Sequence, residues 1–139
     1  MLQRMQSIWL LIAAIFAFLT FQLSFYSGNI ITEGQPAAFK YLNAGFNIWI
    51  LIITIALVCI AVIDIFLYKK RKLQGRLSIL GILFSILNIF LYYKQTLKFS
   101  EGNYDLTALL ALIIPFLFFF AARGIYKDEK LVKSLNRLR

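Results

Sequence analysis

Histidine is absent from this 139-residue chain, and only six acids stand against fifteen lysines and arginines. The first absence removes the usual general base and the commonest metal ligand. The second leaves few carboxylates to take over either role. A single cysteine, Cys59, lies deep inside an apolar run, so a disulfide within the chain is excluded. There is no G-x-x-x-x-G-K phosphate loop, no pair of carboxylates at helical spacing within an apolar block, no zinc-type cluster and no nucleophile elbow. The sequence therefore offers no catalytic residue, no metal site and no cofactor site, and an enzyme is not expected.

What fills the chain instead is apolar. Hydrophobic residues make up 61%, aromatics 17% with fourteen Phe, and the mean hydropathy is +0.79. A soluble domain of this length could not bury that much apolar surface, so lipid is the expected solvent. In a soluble protein, a net charge of +9 would suggest nucleic acid. Here the anionic membrane surface explains it more simply, and no nucleic-acid partner is expected.

Four apolar blocks, at about 8–26, 46–68, 77–93 and 106–122, each approach the length a helix needs to cross a hydrocarbon core roughly 30 Å thick. The fold class expected is an all-α membrane protein, a single domain over 1–139 built as a four-helix bundle. Arg4 is the only charge ahead of the first block, which is too long for a signal-peptide core and lacks a clear cleavage site. Gly28, Asn29, Gly34, Pro36 and Gly45 mark the first connection as an outer loop, in which 29–32 has the residues for a short strand. Five cations in the eight residues 69–76 read as a tight turn. Ser100, Glu101, Gly102 and Asn103 read as a second short outer loop. Trp49 and Tyr68 suit the aromatic belts at the ends of the second block, and Pro115 is expected to bend the fourth.

Cations decide the orientation, because the positive-inside bias counts Lys and Arg in short loops. Arg4, the 69–76 turn and the 123–139 tail hold twelve, against Lys40, Lys94 and Lys98 on the opposite side. Both termini are therefore expected in the cytoplasm, with short periplasmic loops. In the tail, Leu131, Val132, Leu135 and Leu138 recur at helical spacing between Lys130, Lys133, Arg137 and Arg139, which describes a cationic amphipathic helix. Together with Lys69, Lys70, Arg71 and Lys72, the tail's Lys130, Lys133 and Arg137 are candidate contacts for anionic headgroups or an acidic partner. The plainer reading, a solvated anchor that fixes topology, is preferred. Glu129 and Lys133 form a favourable i,i+4 pair.

Asp64 is the single acid within any block, and a lone charge at mid-membrane costs at least about 2.5 kcal/mol. A structural ion-pair network with Arg4, Arg76 or Arg123 is expected, with a proton-carrying Asp64 as the alternative. Asn88, Ser85 and Asn47 are candidate interhelical polar contacts, and Gly81 with Ser85 forms a small-xxx-small pair. A solute path lined by Asn88, Asn47 and Gln22 is the competing use of the same polarity.

The opening Met1, Leu2, Gln3, Arg4, Met5, Gln6, Ser7 and Ile8, the closing segment that begins Arg123, Gly124, Ile125, Tyr126, and the region 64–76 resemble a small four-span family of unknown function found in Bacteroidota. The closing segment departs from that family at Asn136, where an acid is common. The resemblance implies an inner-membrane location in a Gram-negative cell and supplies no reaction. Small size, short outer loops and a lack of reactive groups then point to an accessory or scaffold protein that associates with other membrane proteins or with itself. An oligomeric small-solute transporter or channel is the alternative. The topology is checked by reporters: a green fluorescent protein fused after Arg139 is expected to fluoresce, and alkaline phosphatase at the same place to be inactive. The reverse result would refute the orientation.

Overall fold

The computed structural model describes residues 2–30 and 37–137, with side chains over 5–30 and 37–135. Among these residues four helices, α1 (Leu2–Leu19), α2 (Ile48–Phe66), α3 (Arg71–Thr96) and α4 (Ala108–Arg137), carry most of the chain. Three short strands, β1 (Tyr26–Ile30), β2 (Ala38–Leu42) and β3 (Glu101–Tyr104), lie in the connections. Helix α1 packs on α2 and α4, and α3 packs on the same two, so helices adjacent in sequence are adjacent in space. Gln6 near the start of α1 meets Asp128 late in α4, and Asp64 at the end of α2 meets Ser78 early in α3, so the helices run up and down alternately.

One spacing governs the inward faces. Gln6, Leu10, Ala13 and Ala17 are buried on α1, and Ile50, Thr54, Leu57, Ala61 and Asp64 on α2. On α3 the buried set is Gln74, Ser78, Gly81, Ser85, Asn88, Tyr92 and Thr96; on α4 it includes Ala111, Ile114, Phe118, Ala121, Ile125 and Asp128. Steps of three and four alternate along α1, α2 and α4 and along α3 as far as Tyr92, which is close to the 3.5-residue period of a left-handed bundle. Many of these residues are small or polar. Many bulky apolar side chains point away: Leu11 and Ile15, Ile52 and Ile55, Leu83 and Ile86, Phe116 and Phe119 are all exposed. In water that arrangement would leave a large apolar surface wet. In lipid it is the expected one, because tails solvate Leu and Phe while small residues let helix backbones approach.

Gly81 shows how close that approach is. A Cβ built there would lie 2.5 Å from the Phe118 ring of α4, so the aromatic ring sits directly against the α3 backbone. Among the described residues three helices, Ile48–Lys69, Arg71–Thr96 and Ala108–Leu135, are long and apolar enough to cross a membrane, and Met5–Leu19 is a shorter apolar helix. The molecule is thus mostly helical, with the architecture of an α-helical membrane protein.

The structure departs from the sequence reading in several places. The fold is not purely helical: the strands form an antiparallel sheet in the order β2-β1-β3, pairing Tyr26 with Leu42 and Tyr104. Residues 101–104 thus form strand rather than loop. Gly28 and Gly102 face each other across β1 and β3, and a Cβ on Gly28 would collide with the Glu101 carbonyl, so glycine is required for the pairing. Helix α1 stops at Leu19, short of 26, where Phe21 and Gln22 turn back onto the carbonyls of Phe18 and Leu19, and Phe25 is then captured by Leu42 of β2. The turn at 69–76 is shorter than expected. A 3-10 turn at Leu67–Lys69 makes the reversal, and Arg71 to Arg76 already belong to α3. The amphipathic tail is not a separate helix either, since α4 continues unbroken to Arg137.

Placing a larger side chain under the Phe118 ring should part α3 from α4. Gly81→Val is expected to destabilise the bundle by about 1–3 kcal/mol, the usual cost of overpacking. A melting temperature in detergent equal to that of the native protein would refute this contact.

Candidate functional site

Polar groups gather at three levels of the bundle. At the sheet end, Asp105 accepts hydrogen bonds from the hydroxyls of Ser24 and Ser27, the latter at 2.9 Å, and its backbone N–H donates to the Phe25 carbonyl. The Thr107 hydroxyl donates to the Ser24 carbonyl. These bonds fasten the start of α4 to the chain leaving α1. Aromatic rings fill the space beneath them: Phe25 stacks on Tyr92 at 4.6 Å, and Tyr26 meets Phe99 and Tyr104 edge-on.

Midway, the Asn88 side-chain amide of α3 donates to the Thr54 hydroxyl of α2 at 3.2 Å, and Thr54 donates in turn to the Ile50 carbonyl at 2.8 Å. The Tyr92 hydroxyl lies beside Thr20 and Thr54 without meeting hydrogen-bond geometry. Ser85 turns its hydroxyl back to the Ile82 carbonyl of its own helix, at 2.8 Å, so it provides room at the helix contact rather than a bond across it. Asn47 is not an interhelical contact. It caps α2, its side-chain oxygen accepting from the Trp49 N–H at 2.9 Å, which satisfies a donor that the helix start would leave open. Gln22 is exposed in the turn after α1. The three residues considered for a solute path therefore occupy three different settings: a buried helix contact, a helix cap and an exposed turn.

The third level holds the polar residues of the end rich in cations. Asp64 is fully buried and accepts from the Ser78 hydroxyl at 2.5 Å, while the Gln74 amide donates to the Asp64 backbone carbonyl at 3.0 Å. Across the bundle, the Gln6 amide donates to the buried Asp128 carboxylate at 2.8 Å, with Gly124 packed against the Gln6 side chain. Arg71 reaches the Asp128 carbonyl at 3.4 Å and so connects the start of α3 to α4. The expected network of Asp64 with Arg76 or Arg123 is not formed; the described carboxylate takes a hydroxyl donor instead. Arg76 stands two residues from Ser78, about 200° around the helix, and is exposed. Arg123 is offset by the same two positions from buried Ile125 and is also exposed. The Arg4 side chain, the third expected partner, lies outside the described residues.

Outside these contacts the cations are gathered on the surface. Tyr68, Lys69, Lys70, Arg71, Lys72 and Leu73 form one wall of a groove of about 730 Å³, and Glu129, Val132 and Lys133 of α4 form the other. Lys133 pairs with Glu129 at 2.8 Å, the i,i+4 bridge expected from sequence. Lys130 is exposed beside the groove, and the Arg137 side chain lies outside the described residues. No group of three or more acids or cysteines able to hold a metal occurs among the described residues.

Sequence reasoning missed Gln6, Gln74 and Ser78, and it named no partner for Asp128. A signal was present, because Gln74, Ser78, Gly81, Ser85 and Asn88 recur at alternating steps of four and three along one apolar segment. These features define a helical membrane protein whose polar groups are drawn into helix contacts. More particularly, the chain belongs to the family described as Domain of unknown function (DUF4293), which matches residues 2–138. No curated protein and no solved structure matches it.

The Ser78 bond to Asp64 can be tested by a mutant cycle. Ser78→Ala leaves a buried carboxylate without its hydroxyl donor and is expected to cost about 1–3 kcal/mol. In an Asp64→Leu background, itself destabilised, the same change should cost much less. Equal shifts of the melting temperature in both backgrounds would show that the bond contributes nothing.

Proposed function

We infer that the protein is a four-span inner-membrane protein with both termini in the cytoplasm, and that it serves as an accessory or scaffold subunit for other membrane proteins. The observation that carries this reading is the division of roles among side chains. Polar residues such as Asp64, Ser78 and Asn88 are buried where helices meet, while bulky apolar residues and a cluster of cations face outward. An outward apolar surface suits association with other helices in the membrane, and an exposed cationic end suits contact at the cytoplasmic face. We take α1 as the fourth span, a reading supported by its packing against α2 and α4, although its apolar stretch Met5–Leu19 is shorter than the other three. The likeness of the polar ends to a Bacteroidota family supports the inner membrane of a Gram-negative cell as its location.

Affinity purification of the tagged protein from its own membranes in mild detergent tests the reading. A membrane protein recovered reproducibly and in fixed proportion supports it. A monodisperse preparation without partners, together with solute flux in liposomes that Asn88→Leu abolishes, would instead favour an oligomeric small-solute carrier.

A further inference from the structure

We propose that the groove between residues 68–73 and the last turns of α4 is a binding site for the headgroup of an anionic glycerophospholipid. It deepens the reading above, since it takes this end of the bundle as the membrane's cytoplasmic face. Lys69, Lys70, Arg71 and Lys72 come from the α2–α3 turn, and Lys133 comes from a helix some sixty residues further on. The groove therefore exists only when the bundle is folded. A cation that merely fixes orientation needs no such convergence, because the positive-inside bias acts on loops near span ends.

The lining has two kinds of surface. Five cations supply the charge for a phosphodiester, and the single carboxylate present, Glu129, is already paired with Lys133 at 2.8 Å. Arg71 is partly held by the Asp128 carbonyl, which fixes its position in the wall. Tyr68, Leu73 and Val132 add apolar surface, which suits the glycerol and acyl-ester region of a lipid and is of no use to a free phosphate. Ile63 and Phe66, on the last turn of α2 just ahead of the groove residues in sequence, are exposed apolar side chains. Basic pockets between helices on the cytoplasmic side are a recurrent solution for phospholipid headgroups.

The experiment is native mass spectrometry of the full chain in detergent, after delipidation, with phosphatidylglycerol or phosphatidylcholine added. In micelles both ends of the bundle meet lipid, so the result does not depend on orientation or on a protein partner. Preferential retention of phosphatidylglycerol is expected. Lys69→Gln, Lys70→Gln, Lys72→Gln and Lys133→Gln should each weaken it, by about fivefold per lysine. Glu129→Gln, which removes the acid from the groove, should strengthen it, so the proposal is testable even if the lysine variants fold poorly. The pair Lys94→Gln and Lys98→Gln, at the sheet end, should leave retention unchanged. Equal retention of both lipids, an equal loss in the Lys94 and Lys98 pair, or displacement of phosphatidylglycerol by free glycerol phosphate would each overturn the proposal.

Discussion

Hydrocarbon gives a leucine no reason to turn inward, and that one condition shapes the whole bundle. With lipid tails as apolar as the side chains, helices associate through close fit and through the few polar bonds that cross between them. The structure uses both. Gly81 lets the Phe118 ring rest on the α3 backbone, and alanines on α1, α2 and α4 keep the remaining seams narrow. Bonds from Gln6 to Asp128, Ser78 to Asp64 and Asn88 to Thr54 then fix which faces meet. Each is worth on the order of 1 kcal/mol in a membrane, so register comes from their number rather than their individual strength. The same solvent explains why the strands are confined to one end. Backbone groups at a sheet edge need water, and β2 and β3 are edges here, so the sheet belongs beyond the hydrocarbon.

Helix existence was legible from the runs of apolar residues, but helix limits were not. Five cations between 69 and 76 looked like a loop because charge repels lipid. In the structure Lys72 and Arg76 point outward from α3 while Gln74, Gly75 and Ser78 point into the bundle, so one stretch serves a helix start and a cationic surface together. Gly28, Gly102 and Asn103 looked like turns, with a short strand expected only from Asn29 onward. They form strands because pairing between distant segments, with two glycines in contact, outweighs local preference. The break between span and tail was likewise an inference from composition, and the backbone of α4 does not record it.

The candidate site was half legible. Asp64 stood out as the one acid in an apolar block, yet its partner was sought among arginines because opposite charge is the obvious compensation. Angular position decided otherwise: Ser78 lies on the inner face of α3 and Arg76 does not. Reading α3 by its alternating steps of small and polar residues would have found both Ser78 and Gln74. The convergence of Lys133 with the 68–73 segment had no sequence signature, since it depends on how far α4 runs past the bundle.

Thirty residues in one helix make α4 a rod of about 45 Å at 1.5 Å per residue, longer than the bilayer core is thick. Pro115, which cannot donate an amide hydrogen, sits near its sheet end, so the stretch from Phe116 onward has a full backbone ladder. The charged end of α4 and the Phe118 contact with Gly81 thus lie on one continuous helix, downstream of its proline.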